Sequence, residues 1–148
     1  MAALTLKDAQ QTALFTFAFP LRTYYEDTDS GGVIYHGQYL RFLERGRTEW
    51  LRHLGFSNLE LERKYKMLWV VTEATLNYLK PARLDDQLEV TVAIDNLARV
   101  RVGFAQEIRR GDEVLLKARV VVACVAADSF KPIELPQEVR RKMEAAAR

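Results

Sequence analysis

The stretch "YYEDTDSGGVIYHGQYLRFLERGRTEWLR", residues 24–52, brings two carboxylates, a pair of glycines and a histidine to the approach of an amphipathic segment. Gly31 and Gly32 follow closely on Asp27 and Asp29, and Tyr35-His36 comes just before the residue pattern turns helical. Adjacent glycines free the backbone for a sharp turn or for close approach by a ligand. A helix that begins just beyond them presents unpaired N–H groups and the positive end of its dipole, which polarise a carbonyl oxygen or hold an anion. A carboxylate facing the same point supplies a base or a nucleophile. Together these are the chemical minimum for attack on an activated carbonyl. The plainer reading is that aspartates favour turns and caps, and that a histidine near a helix start is only a satisfied polar group.

The elements that would position these groups follow from periodicity. Phe15, Phe17, Phe19 and Leu21 alternate with Thr16, Ala18 and Pro20, predicting a strand that Pro20 confines to an edge or a bulge. From about Gly37 the period changes: Tyr39, Leu40, Leu43, Gly46, Arg47, Trp50, Leu51 and Leu54 fall on one helical stripe that Gly55 ends. Gly46 within that stripe costs about 1 kcal/mol relative to Ala, which predicts a helix lying too close to a sheet for a side chain to fit. Four strands follow. Leu68, Val70, Thr72, Ala74, Leu76 and Tyr78 share one face of the first; Leu88, Val90, Val92 and Ile94 line the next; Val100, Val102, Phe104 and Ile108 line the third. In "EVLLKARVVVACVA" the middle is apolar on both faces, which predicts an interior strand or a subunit contact. Short turns make the last three strands antiparallel hairpins. "QEVRRKMEAAAR" reads as a short terminal helix with a solvated basic end.

The 148 residues fit one domain, with a core about 14–130 and a terminal helix or tail at 137–148. One helix cannot cover both faces of a five-stranded sheet, so the extra apolar positions predict pairing with a second copy. A net charge of +2 gives no overall field for nucleic acid, and no basic-aromatic platform appears. The only cysteine, Cys124, sits in an apolar run and reads as a buried inert thiol of a reducing compartment. No apolar run approaches a membrane span and the N-terminus does not read as a signal peptide, so a cytoplasmic protein is expected. Two histidines 17 positions apart and one remote cysteine make no metal-ligand pattern, and no metal or cofactor is expected.

The quoted stretch closely resembles the signature of hotdog-fold acyl-CoA thioesterases of the 4-hydroxybenzoyl-CoA thioesterase family, above all the branch associated with the Tol-Pal cell-envelope system. The match is strong over residues 22–55 and looser through "LNYLKPARLDDQLEVTV" to about 130. It implies an α+β hotdog fold, a long central helix wrapped by a five-stranded antiparallel sheet. It also implies sheets pairing edge to edge and active sites at a subunit interface. Homodimer and homotetramer are both open, with the tetramer favoured. The implied reaction is hydrolysis of an acyl-CoA thioester, coenzyme A being part of the substrate. Position by position, Asp29 matches the family's catalytic carboxylate, as nucleophile or general base, and His36 matches the histidine of the Tol-Pal branch. The sequence departs from that branch at Phe42-Leu43-Glu44, where two aromatics often precede the Glu.

Gly32 and Tyr35 are candidates to touch substrate. Arg99 and Arg101, read as neighbours on one strand face, are candidates for the phosphates of coenzyme A or for a solvated face. Glu44 reads as an ion-pair partner of Arg47 or Arg41, with a second catalytic acid as the alternative. Two further functions stand beside hydrolysis: hydration or dehydration of an acyl thioester on the same fold, and a non-catalytic acyl-thioester or protein-binding module.

Overall fold

A computed structural model describes residues 17–147 of the chain; Phe15, part of the predicted first strand, lies outside them. Strand β1 (Phe17–Arg22) leads through a 3₁₀ turn at Tyr25–Asp27 into helix α1 (Gln38–His53). A short helix α2 (Asn58–Tyr65) precedes strands β2 (Met67–Tyr78), β3 (Gln87–Leu97), β4 (Arg101–Arg110) and β5 (Glu113–Ala126), and helix α3 (Gln137–Ala146) closes the described chain. The five strands form one sheet in the order β1-β3-β4-β5-β2, every pair antiparallel. This is the hotdog arrangement, with α1 lying along one face of the sheet. Proline is tolerated at position 20 because β1 is an edge, paired among the described residues only with β3.

Close approach holds α1 in place. A β-carbon at Gly46 would stand 2.6 Å from Val90 Cγ1 and 3.4 Å from Gln106 Nε2. A methyl group at position 46 would force Val90 to shift, in line with the close approach the sequence predicts. Tyr39, Phe42, Leu43, Trp50 and Leu51 are buried around it, and full burial of residues like Phe42 and Leu43 stabilises by about 2 kcal/mol each. A polar bridge accompanies the apolar contact. Gln106 Nε2 donates to the Leu43 carbonyl at 3.1 Å, and Arg47 Nη1 donates to Gln106 Oε1 at 3.0 Å. Burial pushes the Arg47 guanidinium below its usual pKa.

Several expectations are corrected. Leu40 is 46% exposed while Phe42 is fully buried, so the stripe is rotated at its N-terminal end. A bulge between Val71 and Glu73 interrupts β2. Met67, Trp69 and Val71 pair with the same β5 face that Ala74, Leu76 and Tyr78 meet after the bulge, so Leu68 and Val70 point to the opposite side. Helix α2 was not anticipated. Its signal is the S-x-x-E spacing of Ser57 and Glu60, and Ser57 Oγ accepts the Glu60 N–H at 3.1 Å. The terminal segment is not a solvated tail: Val139 and Met143 of α3 are buried, and Arg140 Nη2 donates to the Ala98 carbonyl at 2.6 Å.

β5 is an interior strand, as its two apolar faces predict. Cys124 on it is fully buried, and burial pushes its thiol pKa up to about 11. That thiol stays protonated and unreactive near neutral pH. Alkylation by iodoacetamide at pH 8 is expected only after denaturant is added. Gly46→Ala is expected to destabilise the fold by about 1–3 kcal/mol in urea unfolding, the cost of overpacking against Val90.

Candidate functional site

The turn between β1 and α1 is built by backbone bonds. Asp29 N–H donates to Val33 O at 2.8 Å, Gly32 N–H returns to Asp29 O at 3.3 Å, and Tyr35 N–H reaches Asp27 O at 2.8 Å. Gly32 takes φ +81°, a conformation side chains resist, so the second glycine is required by the turn itself. The Pro81–Asp86 segment straps this loop to the sheet. Ile34 N–H donates to Ala82 O at 2.9 Å, Thr23 Oγ1 donates to Arg83 O at 2.6 Å, and Ala82 N–H donates to the buried Tyr39 hydroxyl at 3.0 Å. The strap lies within "LNYLKPARLDDQ", where the resemblance continues, although its part in holding the loop is not readable from residue types.

The two aspartates separate cleanly. Asp27 is 4% exposed; its Oδ2 accepts the Tyr24 N–H at 2.8 Å and its Oδ1 accepts Gln38 Nε2 at 2.7 Å. It ties the end of β1 to the first residue of α1. Asp29 is exposed. Its Oδ1 accepts the Gly31 N–H at 2.8 Å, and among the described residues its Oδ2 has no partner. One carboxylate is committed to structure; the other offers a free oxygen on a fixed turn.

Nine residues after Asp29 the chain enters α1 at Gln38. No side chain caps that helix, and the N–H groups of His36 and Gly37 have no partner among the described residues. Uncapped amides at a helix start are the donors an oxyanion needs. The exposed His36 ring lies 4.5 Å from the ring of Tyr35. Tyr35 in turn covers Gly37, where a β-carbon would stand 2.6 Å from its Cε2. Tyr35 is half-exposed, so it belongs to the site's surface and not to the core.

Asp29, Gly32, Tyr35 and His36 therefore gather at one turn. Arg99 and Arg101 do not join them within one chain. Arg22, at the site end of β1, pairs with Gln87, and the arginines follow the far end of β3, about 33 Å away at ~3.3 Å per residue. Arg99 lies in the bend before β4, not on a strand face with Arg101, and its Nη1 sits 3.3 Å from Glu134 Oε1. Arg101 is exposed and has no partner among the described residues. The predicted ion pair of Glu44 with Arg41 or Arg47 is absent among the described residues. Arg47 is turned to Gln106, and Glu44 acts on it only through space. Glu44 and Arg47 instead line a cavity of about 330 Å³ between α1 and β2, walled by Trp50, Met67, Trp69 and Val122. No sequence periodicity announces that cavity, because it depends on the β2 bulge turning Met67, Trp69 and Val71 toward the helix.

An antiparallel sheet with one long helix along its face, and a carboxylate-bearing turn set before an uncapped helix start, is the arrangement shared with thioesterases of the hotdog fold. A family model described as Thioesterase superfamily matches residues 31–121, well over half of the chain, and the chain belongs to that superfamily. The acyl-CoA thioesterase YbgC of Haemophilus influenzae is 43% identical over 124 residues, 84% of this chain and 91% of its own. The acyl-CoA thioester hydrolase YbgC of Escherichia coli is 44% identical, with 83% and 92% covered. Among solved structures, a probable thioesterase from Bartonella henselae matches with a TM-score of 0.78 at 36% identity, over 81% of this chain and 98% of that one. A DHNA-CoA thioesterase from Staphylococcus aureus matches with a TM-score of 0.79 at 27% identity, over 86% and 90%. Among the described residues no helix is long and apolar enough to cross a membrane.

The separation of the aspartates is testable by urea unfolding. Asp27→Ala is expected to cost about 3 kcal/mol, since it removes two hydrogen bonds to a buried carboxylate. Asp29→Ala, at an exposed position, is expected to change stability by less than about 1 kcal/mol.

Proposed function

We propose that the protein is an acyl-CoA thioesterase that hydrolyses the thioester to a free acid and coenzyme A, with Asp29 as its catalytic carboxylate. The observation that carries this is an Asp29 oxygen left without a partner among the described residues, on a hydrogen-bonded turn that leads into uncapped amides at the start of α1, in a member of the thioesterase superfamily. Relatives named for acyl-CoA thioester hydrolysis, matched over most of their length, support the substrate class.

In this reading the thioester carbonyl points its oxygen at the N–H groups of His36 and Gly37, which stabilise the charge that develops on it. Asp29 takes a proton from an attacking water, or itself attacks to give a mixed anhydride that water then cleaves. Either way the C–S bond breaks and coenzyme A leaves as a thiolate, which is a good leaving group and takes up a proton afterwards. His36 orients the carboxylate or the thioester. Gly32 and Tyr35 border the reacting carbonyl. Arg101, without a partner among the described residues, is better suited than Arg99 to a coenzyme A phosphate. Because Arg101 lies far from Asp29 along one chain, that contact comes from a second copy in a homo-oligomer. The β2 edge, where Val71 and Tyr78 are half-exposed, is the surface that supports such pairing.

A thiol-release assay across acyl-CoA chain lengths tests the proposal. Asp29→Ala is expected to lose at least ~100-fold in rate while remaining folded, and His36→Ala to lose less. Near-normal hydrolysis by the Asp29 variant rejects its role. Conversion of an enoyl thioester with no thiol released from any acyl-CoA replaces hydrolysis with hydration chemistry.

A further inference from the structure

Tyr78 stands at the end of β2, remote in sequence from the turn, and its hydroxyl donates to the His36 carbonyl at 2.8 Å. A peptide unit is planar and trans, so the carbonyl of residue 36 and the N–H of residue 37 point in opposite directions. Whatever holds one aims the other. The His36–Gly37 peptide is the unit most in need of holding. Gly37 has no β-carbon, because the Tyr35 ring occupies that space, and glycine leaves the backbone freer to rotate than any other residue. The helix offers no side-chain cap to compensate.

We infer that Tyr78 is a positioning residue for the reaction proposed above: by anchoring the His36 carbonyl it fixes the Gly37 N–H in the direction of the developing oxyanion. The inference rests on that functional reading. Tyr78 suits the task because its ring is itself held. It meets the edge of Tyr39 at 5.4 Å and 81°, and Tyr39 meets Phe42 at 6.1 Å and 75°. Tyr39 and Phe42 are buried, so a ladder of three rings runs from the core to one exposed carbonyl. A half-exposed hydroxyl on a free side chain would exchange its bond for water with little loss; on this ladder it returns to the same place. Burial, with Tyr35 nearby, raises the Tyr78 pKa, so the hydroxyl keeps its proton.

The experiment compares Tyr78→Phe with the wild-type chain in kcat, KM, thermal midpoint and the NMR order parameter of the Gly37 amide. The expected result is a kcat lower by about tenfold, less than the ~100-fold or more that follows removal of an oxyanion donor outright. KM is expected to stay within twofold and the thermal midpoint unchanged, with a lower order parameter at Gly37. A kcat within twofold of wild type overturns the inference, whether or not the order parameter changes. A raised KM overturns it by making Tyr78 a substrate contact, and a thermal midpoint lowered enough to explain the lost activity reduces Tyr78 to a structural role. If the wild-type chain releases no thiol from any acyl-CoA, the functional reading fails instead, and the order parameter at Gly37 still reports whether Tyr78 holds the peptide.

Discussion

The distance between α1 and the sheet at position 46 is the constraint from which the site follows. With no β-carbon there, the helix backbone settles against Val90 closely enough for Gln106 to reach the Leu43 carbonyl. A helix held at that depth has a fixed axis and a fixed starting point. Gln38, its first residue, then lies where its side chain meets Asp27, and the turn that carries Asp29 is set relative to the helix amides. Raising the helix by a methyl group would loosen Gln106, Arg47 and the Asp27 tie together, because all three are measured from the same contact.

Asp27 and Asp29 show how identical side chains two residues apart acquire different surroundings. The intrinsic chemistry of both is the same, and only the partners differ. Asp27 meets a backbone N–H and an amide side chain in a buried setting, which satisfies it and makes it costly to remove. Asp29 spends one oxygen on the Gly31 N–H, a bond that orients the carboxylate without consuming it. Positioning without neutralisation is what a base or nucleophile requires. The glycines serve the same end, Gly32 by its positive φ and Gly37 by admitting the Tyr35 ring.

Much of this was legible in the sequence because the signals were local. The alternation of Leu88, Val90, Val92 and Ile94, the helical stripe through Leu43 and Trp50, and the costly Gly46 each depend on a single element and its nearest contact. The Asp29 turn was legible through its glycines and its family resemblance. What was not legible depends on elements distant in the chain. Leu40 and Leu51 lie on nearly the same line of α1, but Leu51 is buried beside Leu61 and Met143 while Leu40 is left exposed by the described residues. The β2 bulge reverses which residues face the helix, and a period-two pattern cannot reveal an inserted residue. The Pro81–Asp86 strap and the Tyr78 anchor act through backbone N–H and carbonyl groups, which nearly every residue possesses, so residue types give no hint of them.

Water is the remaining physical issue. A carboxylate and a pair of amides act weakly on a carbonyl while solvent competes for all of them, and strongly once solvent is excluded. In one chain Asp29 and His36 are exposed, and neither lines the cavity beneath α1. Among the described residues a twelve-residue strand, β2, is unpaired along one edge, although such edges are ordinarily shortened, charged or covered. Tyr78 joins the two features, being at once the last residue of that edge and the donor that holds the peptide ahead of α1. A second copy laid along β2 would shield the turn from solvent and stiffen Tyr78 in the same event. Assembly and preorganisation of the amides would then be one process, and activity would track the population of the oligomer more closely than the stability of the single chain.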